Sequence, residues 1–516
     1  MAMVGRRNEY GATLSNAILY FHILPRLIPQ ITCNLLFRGQ FLDHDIDLTE
    51  PSVDNSESYM VDIPEGDFFN TDGNTCTGMN FTRSDYIVTG AGYREQVNLI
   101  THFIDASNVY GSDVARATEL RTGSDGELKV SDPGSKCKFR GVFTELTLKF
   151  VQQTSLDGDM LPFNTAGEPN AGGSDNPNLY LAGDIRANEQ IGLTAIHALF
   201  VREHNRLAGR IRREYPGSSD EEIFQLARKF IMAEMQIITY KEYLPALLGP
   251  MAPSLSDYAG YREGVDPSIS NEFSTVIYRF GHSMVAPELQ LVDENDRLFS
   301  VSLLRDAFFN PSFFNRGEYV DYVIGGLTKT TAQEIDNKVI DDLRNFLFSI
   351  PGSGRTVCLD LPALNILRGR DHGMLSYNGI RQSMGLAPKQ DFNSVSSQQE
   401  VRDQLASVYE SVDDIDGWIG VLAEDHITGA SVGELLGTMM ADQYMRLRDG
   451  DPHFYLNDRD LYDSDGNLRR DMREILNLDT VTLAEVIRRN TIVSTSDNVF
   501  IAKGTSRHLF TRGGAH

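Results

Sequence analysis

Two long stretches in the middle of the chain, Ile191 to Tyr215 and Ser219 to Leu247, constrain it most. In both, apolar side chains recur at three- and four-residue spacing, the period of one helical face. Pro216-Gly217 separates them, and neither residue propagates a helix. The spacing predicts two long helices and a mainly α chain. Further helices are predicted over residues 332–347, 398–409, 432–448 and 482–489. Another is expected from Ser15 to Leu42, interrupted by Pro25 and Pro29. Strand signals are few and short, with Arg297–Ser302 the best. Residues 50–95 and 152–179 are rich in turn formers and are predicted to be surface loops. No repeat, low-complexity tract or linker divides the 516 residues. The expected architecture is one large, mainly α-helical domain with long loops, over residues 35–500. Residues 1–34 are an N-terminal segment that joins it, and 501–516 a tail.

Composition removes several classes of function. With 41% hydrophobic and 23% charged residues, the chain can bury a large core. A formal charge of −25 argues against nucleic acid and anionic membrane surfaces as partners. No run of 18 apolar residues exists, so no transmembrane helix is expected. Arg6-Arg7 followed by apolar Asn16–Leu24 has the outline of a secretory signal. No small-residue cleavage site follows, and the stretch reads as the first helix of the domain. Cys33, Cys76, Cys137 and Cys358 are scattered without a CxxC pair, which argues against a zinc site or disulfide scaffold. One or two isolated bridges remain open.

The chemistry begins in the stretch from Phe37 to Thr49, where His44 lies between Asp43 and Asp45. At helical spacing Gln40, Asp43 and His44 share a face, while Asp45 points elsewhere. Thr101, Phe103, Asp105 and Ser107 supply oxygen atoms at alternate positions, as a loop around a hard cation does. Such a site needs a second carboxylate, and Asp45 is the candidate. Taken alone, the same loop is more simply read as satisfying its own amides through Asx and Ser turns. Asp184 is placed as the N-cap of the long helix, with Arg186, Glu189 and Gln190 on one face and Arg186 able to pair with Glu189. Further on, His282 follows a helix-like segment in Tyr278-Arg-Phe-Gly-His. Asn365 sits in an apolar frame that ends in Arg370-Asp-His-Gly373.

Taken together these motifs resemble one family closely, the animal-type haem peroxidases, the group of myeloperoxidase, lactoperoxidase and peroxidasin. The resemblance rests on Gly39-Gln-Phe-Leu-Asp-His-Asp45, Thr101-x-Phe-x-Asp-x-Ser107 with Val109-Tyr-Gly111, and Gly183-Asp-Ile-Arg-x-x-Glu189. It continues through Arg202-Glu-His-Asn-Arg-Leu-Ala208, Tyr278-Arg-Phe-Gly-His282 and Ala363-Leu-Asn365 with Arg370-Asp-His-Gly373. The motifs run in the family's order over almost the whole chain. The resemblance implies a haem b cofactor, with His282 as proximal iron ligand, Asn365 holding its other nitrogen and Arg279 close to the haem. It implies His44 as distal acid–base and Arg186 as fixed positive charge where the O–O bond breaks. Gln40 would order water or a small anion. Asp43 and Glu189 match the carboxylates that form ester bonds to the haem, and Asp45, Thr101, the Phe103 carbonyl, Asp105 and Ser107 match a calcium site.

The implied reaction is reduction of hydrogen peroxide through a ferryl intermediate, with oxidation of iodide, thiocyanate, bromide or small phenols. An extracellular location is implied as well. Three positions depart from the family. Its opening before the distal motif is only faint around Ser15-Asn16, and the cysteine framework of the mammalian members is missing. Gln190 stands where myeloperoxidase has a methionine that makes a third haem link through sulfur, which glutamine cannot make. Two other readings are a fatty-acid dioxygenase of the same superfamily and a non-catalytic adhesion or matrix protein. The dioxygenases carry a tyrosine three residues before the proximal histidine, a position held here by Arg279.

Overall fold

Helices Ile191–Glu214 and Asp220–Ile238 pack against each other at the centre of the molecule. The computed structural model describes residues 27–71, 74–131, 159–171, 178–314, 318–348 and 357–502. Predicted features at Ser15-Asn16, Asn16–Leu24, Pro25 and Cys137 therefore lie outside the described residues, as does much of the 152–179 loop.

The second central helix starts where its sequence says it should. Ser219 Oγ accepts from the Glu222 amide, and the Glu222 carboxylate accepts from the Ser219 amide, a reciprocal capping box. It ends as a regular helix at Ile238 and continues through a π-helical turn, Thr239–Tyr243, into Leu244–Leu248. The first central helix is less one-sided than its periodicity suggests, for every residue from Ile191 to Ala208 is buried. Helices Cys33–Ile46, Glu318–Lys329 and Leu483–Asn490 pack against it. The charged residues this encloses are paired inside: Arg202 with Asp321 at 2.5 Å and Arg206 with Glu203 at 2.6 Å. Removing one partner from such a pair would strand a buried charge.

Other elements correct the sequence expectations. The helix predicted over 332–347 is absent. Thr331–Gln333 is a strand paired antiparallel with Leu27–Thr32, and only Asp341–Arg344 turns helically. Pairing with a distant strand, helped by β-branched Thr330 and Thr331, overrode the apolar spacing. Leu27–Thr32 also occupies part of the stretch expected to be helical, so the first described helix begins at Cys33. The 50–95 region is not plain loop. It forms short antiparallel pairs, Ser58–Asp62 with Gly78–Thr82 and Tyr86–Val88 with Arg94–Gln96. The helices at Gln399–Val408, Glu434–Asp449 and Leu483–Asn490 lie where the periodicity put them. The expected strand is Leu298–Leu303, paired with Glu288–Val292. Behind that hairpin Gly326 is obligatory, because a Cβ there would overlap the Gln290 carbonyl.

Cys76 and Cys358 form a disulfide across 282 residues of sequence, and Cys33 is a buried free thiol. No helix among the described residues is long and apolar enough to cross a membrane.

Candidate active site

Helix Cys33–Ile46 runs along a cavity of about 330 Å³ and presents Gln40, Asp43 and His44 to it. Gly39 lets this helix approach Tyr243, whose hydroxyl would lie 2.8 Å from a Cβ at that position. His282 lines the same cavity, and its local backbone is unusual. A π-helical turn, Phe273–Ile277, leads into a tight 3₁₀ segment, Tyr278–Ser283, that carries the histidine. Such irregular turns concentrate at functional sites because they re-aim side chains that a regular helix would stack.

His282 Nδ1 shares a 2.8 Å hydrogen bond with the Asn365 amide, whose oxygen accepts from Arg279 Nη1 at 3.1 Å. Burial, reinforced by Arg279, pushes His282 down to about 3, so its ring is neutral over the physiological range. His44 is neutral for the same reason, since burial and then Arg186 hold it well below the ordinary histidine value.

The segment before helix Ile191–Glu214 differs from expectation. Residues 184–190 form turns, and the N-cap is Gln190, whose Oε1 accepts from the Gly192 amide at 2.6 Å. Asp184 instead grips Arg186, accepting from its backbone N at 2.8 Å, Nε at 2.9 Å and Nη2 at 2.8 Å. The expected Arg186–Glu189 pair is thus replaced, and Arg186 lies 3.9 Å from Asp43. Burial alone would raise Asp184, but Arg186, through its charge and its hydrogen bonds, outweighs it and keeps the carboxylate ionised. Glu189 accepts from Gln40 Nε2 at 3.1 Å, while Gln190 Nε2 donates to Gln40 Oε1 at 3.0 Å. Both ends of the Gln40 amide are therefore fixed. Asp43 is lifted to about 8 by burial and then Asp47, and Glu189 to about 7 by burial.

Away from the cavity, Asp45 is fully buried against the 101–108 loop. Its carboxylate accepts from the Ala106 and Asn108 amides and from Ser107 Oγ, each at 3.2 Å. Thr101 Oγ1 accepts from the Phe103 amide at 3.0 Å, and Asp105 from the Ser107 amide at 2.9 Å. The Asx and Ser turns of the loop exist, and they coexist with the apposition of Asp45 to Asp105. Burial and then Asp105 lift Asp45 to about 8. Among the described residues no cluster of three or more His, Cys, Asp or Glu side chains could hold a metal. Two carboxyls with hydroxyl and carbonyl oxygens make a donor set suited to a hard cation rather than a zinc-type ion.

The cavity has further polar groups to which the sequence assigns no role. Asp47, Ser84, Tyr243, Tyr278, Arg368 and His372 all line it. Ser84 Oγ lies 2.7 Å from His372 Nε2 and accepts from Arg368 Nη1 at 2.8 Å. Arg368 and His372 belong to the Asn365–Gly373 stretch, whose run of charges inside an apolar frame was the available signal. Nothing in the local sequence marks Ser84.

Two neutral histidines line one cavity, with a half-buried arginine beside one and a bracing amide behind the other. That arrangement fits a planar iron cofactor held by a neutral imidazole. The animal haem peroxidase family matches residues 13–500, and the chain belongs to that family. It is a haem peroxidase, an oxidoreductase that acts on hydrogen peroxide. Peroxinectin A from Dictyostelium discoideum is 36% identical over 472 residues, covering 88% of this chain and 80% of that protein. Peroxidasin from Drosophila melanogaster is 34% identical, covering 83% of this chain but 29% of that longer protein. Among solved structures, Peroxidase A from Dictyostelium discoideum superposes with a TM-score of 0.79 at 34% identity, covering 96% of this chain and 91% of that one. A fatty acid alpha-dioxygenase from Arabidopsis thaliana reaches 0.72 at 19% identity, covering 94% and 76%, which speaks to shared fold alone.

Proposed function

We propose that His282 holds the haem iron and that His44 with Arg186 cleaves peroxide on the opposite face. The observation that carries this reading is a single cavity lined by His44, Arg186 and Gln40 together with His282, whose Nδ1 is backed by Asn365. Haem, when bound, would supply the electrons that reduce peroxide. The chain's own groups manage protons and charge. Neutral His44 accepts the proton of one peroxide oxygen and returns it to the other, which leaves as water. Arg186, held charged by Asp184, offsets the negative charge that develops as the O–O bond breaks. Gln40, tied at both ends, holds one orientation in which to order water or a small anion.

Asp43 and Glu189 are the carboxyls for ester links to the haem. Both border the cavity in which the haem would sit, which supports that assignment. Asp45, Thr101, Phe103, Asp105 and Ser107 are the calcium ligands, a reading supported by the burial of Asp45 against that loop. Gln190 cannot make a sulfur link, and its amide is committed to the Gly192 amide and to Gln40. The donors are therefore iodide, thiocyanate, bromide and small phenols, with chloride a poor one. The Cys76–Cys358 disulfide supports an oxidising, extracellular compartment.

The test is peroxide-dependent oxidation by haem-loaded protein of each halide and of thiocyanate at matched concentration, with palmitic acid as a control. Iodide and thiocyanate turnover with little chloride turnover is expected. Chloride turnover equal to that of bromide near neutral pH would defeat the donor assignment.

A further inference from the structure

We propose that Asp184 is the positioning residue of the distal pair, holding the Arg186 fork and selecting the His44 tautomer that carries its proton on Nδ1. The proposal rests on the reading of His44 as proton acceptor. Its evidence is geometric. Asp184 is buried at 3% exposure, and its carboxylate wraps Arg186 through three donors at 2.8–2.9 Å. The same Oδ1 that accepts from the Arg186 backbone N and Nε lies 3.5 Å from His44 Nδ1. That nitrogen is buried and has no hydrogen-bond partner. A buried polar atom without a partner is uncommon, and the carboxylate oxygen in front of it identifies the partner it is aimed at. Catalytic hydrogen bonds are often long before substrate binds and shorten afterwards.

The consequence is chemical. In a neutral imidazole one nitrogen carries the proton and the other the lone pair, and the hydrogen bond made by one fixes the state of the other. With Nδ1–H directed at Asp184, the lone pair is left on Nε2, on the opposite edge of a ring that borders the cavity. That is the tautomer able to take a proton from peroxide. The reverse tautomer would present N–H and could not.

The carboxylate is also fixed relative to His44 by a separate route. Asn108 donates its side-chain amide to the Phe41 carbonyl at 2.6 Å, on the helix of His44, and its backbone amide to Asp45 at 3.2 Å. The Asn108 carbonyl accepts from the Asp184 amide at 3.1 Å. Next to Asp184, Gly183 packs so tightly that a Cβ would lie 2.5 Å from both the Ser107 and Asn108 carbonyl oxygens. One residue thus ties the His44 helix and the Asp184 turn together, so the distance between carboxylate and imidazole does not depend on side-chain chance.

The experiment compares wild type, Asp184→Asn, Asp184→Glu and His44→Ala as haem-loaded, full-length proteins. Rapid mixing with hydrogen peroxide gives the rate. Proton NMR of the cyanide complexes, with ¹⁵N-histidine labelling, detects the His44 Nδ1–H, assigned by its absence in His44→Ala. Wild type should show that proton. Asp184→Asn should lose or shift it and slow the peroxide reaction on the order of 10²-fold or more, because the amide can donate to Nδ1 and favour the wrong tautomer. Asp184→Glu should keep the proton and recover the rate to within about tenfold, since it retains an acceptor-only carboxylate. A wild-type His44 protonated on Nε2 would overturn the proposal without any variant. So would Asp184→Asn reacting at the wild-type rate while His44→Ala is slow, and so would Asp184→Glu being as slow as Asp184→Asn, which would assign the loss to packing. If His44→Ala itself reacted at the wild-type rate, the distal-base reading would fall and this proposal with it.

Discussion

Replacing Asp45 with alanine tests whether the 101–108 loop organises the helix that carries His44. The side chain is fully buried and accepts from the Ala106 and Asn108 amides and from Ser107 Oγ. Ser107 Oγ also lies 3.2 Å from the Asp45 main-chain oxygen, so it retains a partner in the variant. The two backbone amides do not. Each unsatisfied buried donor costs about 1–3 kcal/mol, giving about 2–6 kcal/mol for the pair. Removal also relieves the mutual repulsion with Asp105, which favours the lower half of that range. A loss of about 2–4 kcal/mol is a large share of the typical 5–15 kcal/mol of a folded domain. The assay is thermal unfolding followed by haem absorbance, with and without added calcium. Wild type should gain stability with calcium, and Asp45→Ala should melt several degrees lower and respond to calcium weakly. A variant that melts within a degree of wild type with the same calcium response would show that Asp45 does not tie the loop to the His44 helix.

Three further outcomes are expected. Mass spectrometry of digested protein, after haem loading and peroxide treatment, should find haem attached to the peptides of Asp43 and Glu189, and Asp43→Ala should leave only the second. His44 is held well below the ordinary histidine value, so it stays neutral at pH 7. The peroxide reaction should fall only as pH drops through that lowered value, and a fall already complete at pH 6.5 would contradict it. Cys76→Ser should lower stability by about 2–5 kcal/mol, read as an earlier denaturant midpoint, because the bridge closes a loop of 282 residues beside the helix that carries Asn365.

Much of the site was legible because its residues sit in local patterns. The spacing of Gln40, Asp43 and His44 put them on one helical face, and all three border the cavity. Asp45 was expected to point away, and it does, against the loop proposed to share its cation. What was not legible depends on distant pairing. Thr331–Gln333 has helical apolar spacing on its C-terminal side but is a strand because Leu27–Thr32 lies beside it. Asp184 looks like a cap from its place before an apolar run. Only the turn at 184–190 shows that Gln190 caps the helix and leaves Asp184 free for Arg186 and His44. Ser84 and His372 meet across 288 residues of sequence, and neither neighbourhood announces the other.

The role of His44 is measured most directly by the rate at which haem-loaded protein reacts with stoichiometric hydrogen peroxide, wild type against His44→Ala, followed by rapid-mixing absorbance at pH 7. General acid–base catalysis contributes about 10²–10⁴-fold, or about 3–5.5 kcal/mol of barrier. With the proposed ligand His282 intact, the resting haem spectrum should be unchanged, while the peroxide-dependent spectral change slows by that factor in His44→Ala. An undiminished rate in His44→Ala with haem normally bound would contradict the assignment of the distal face.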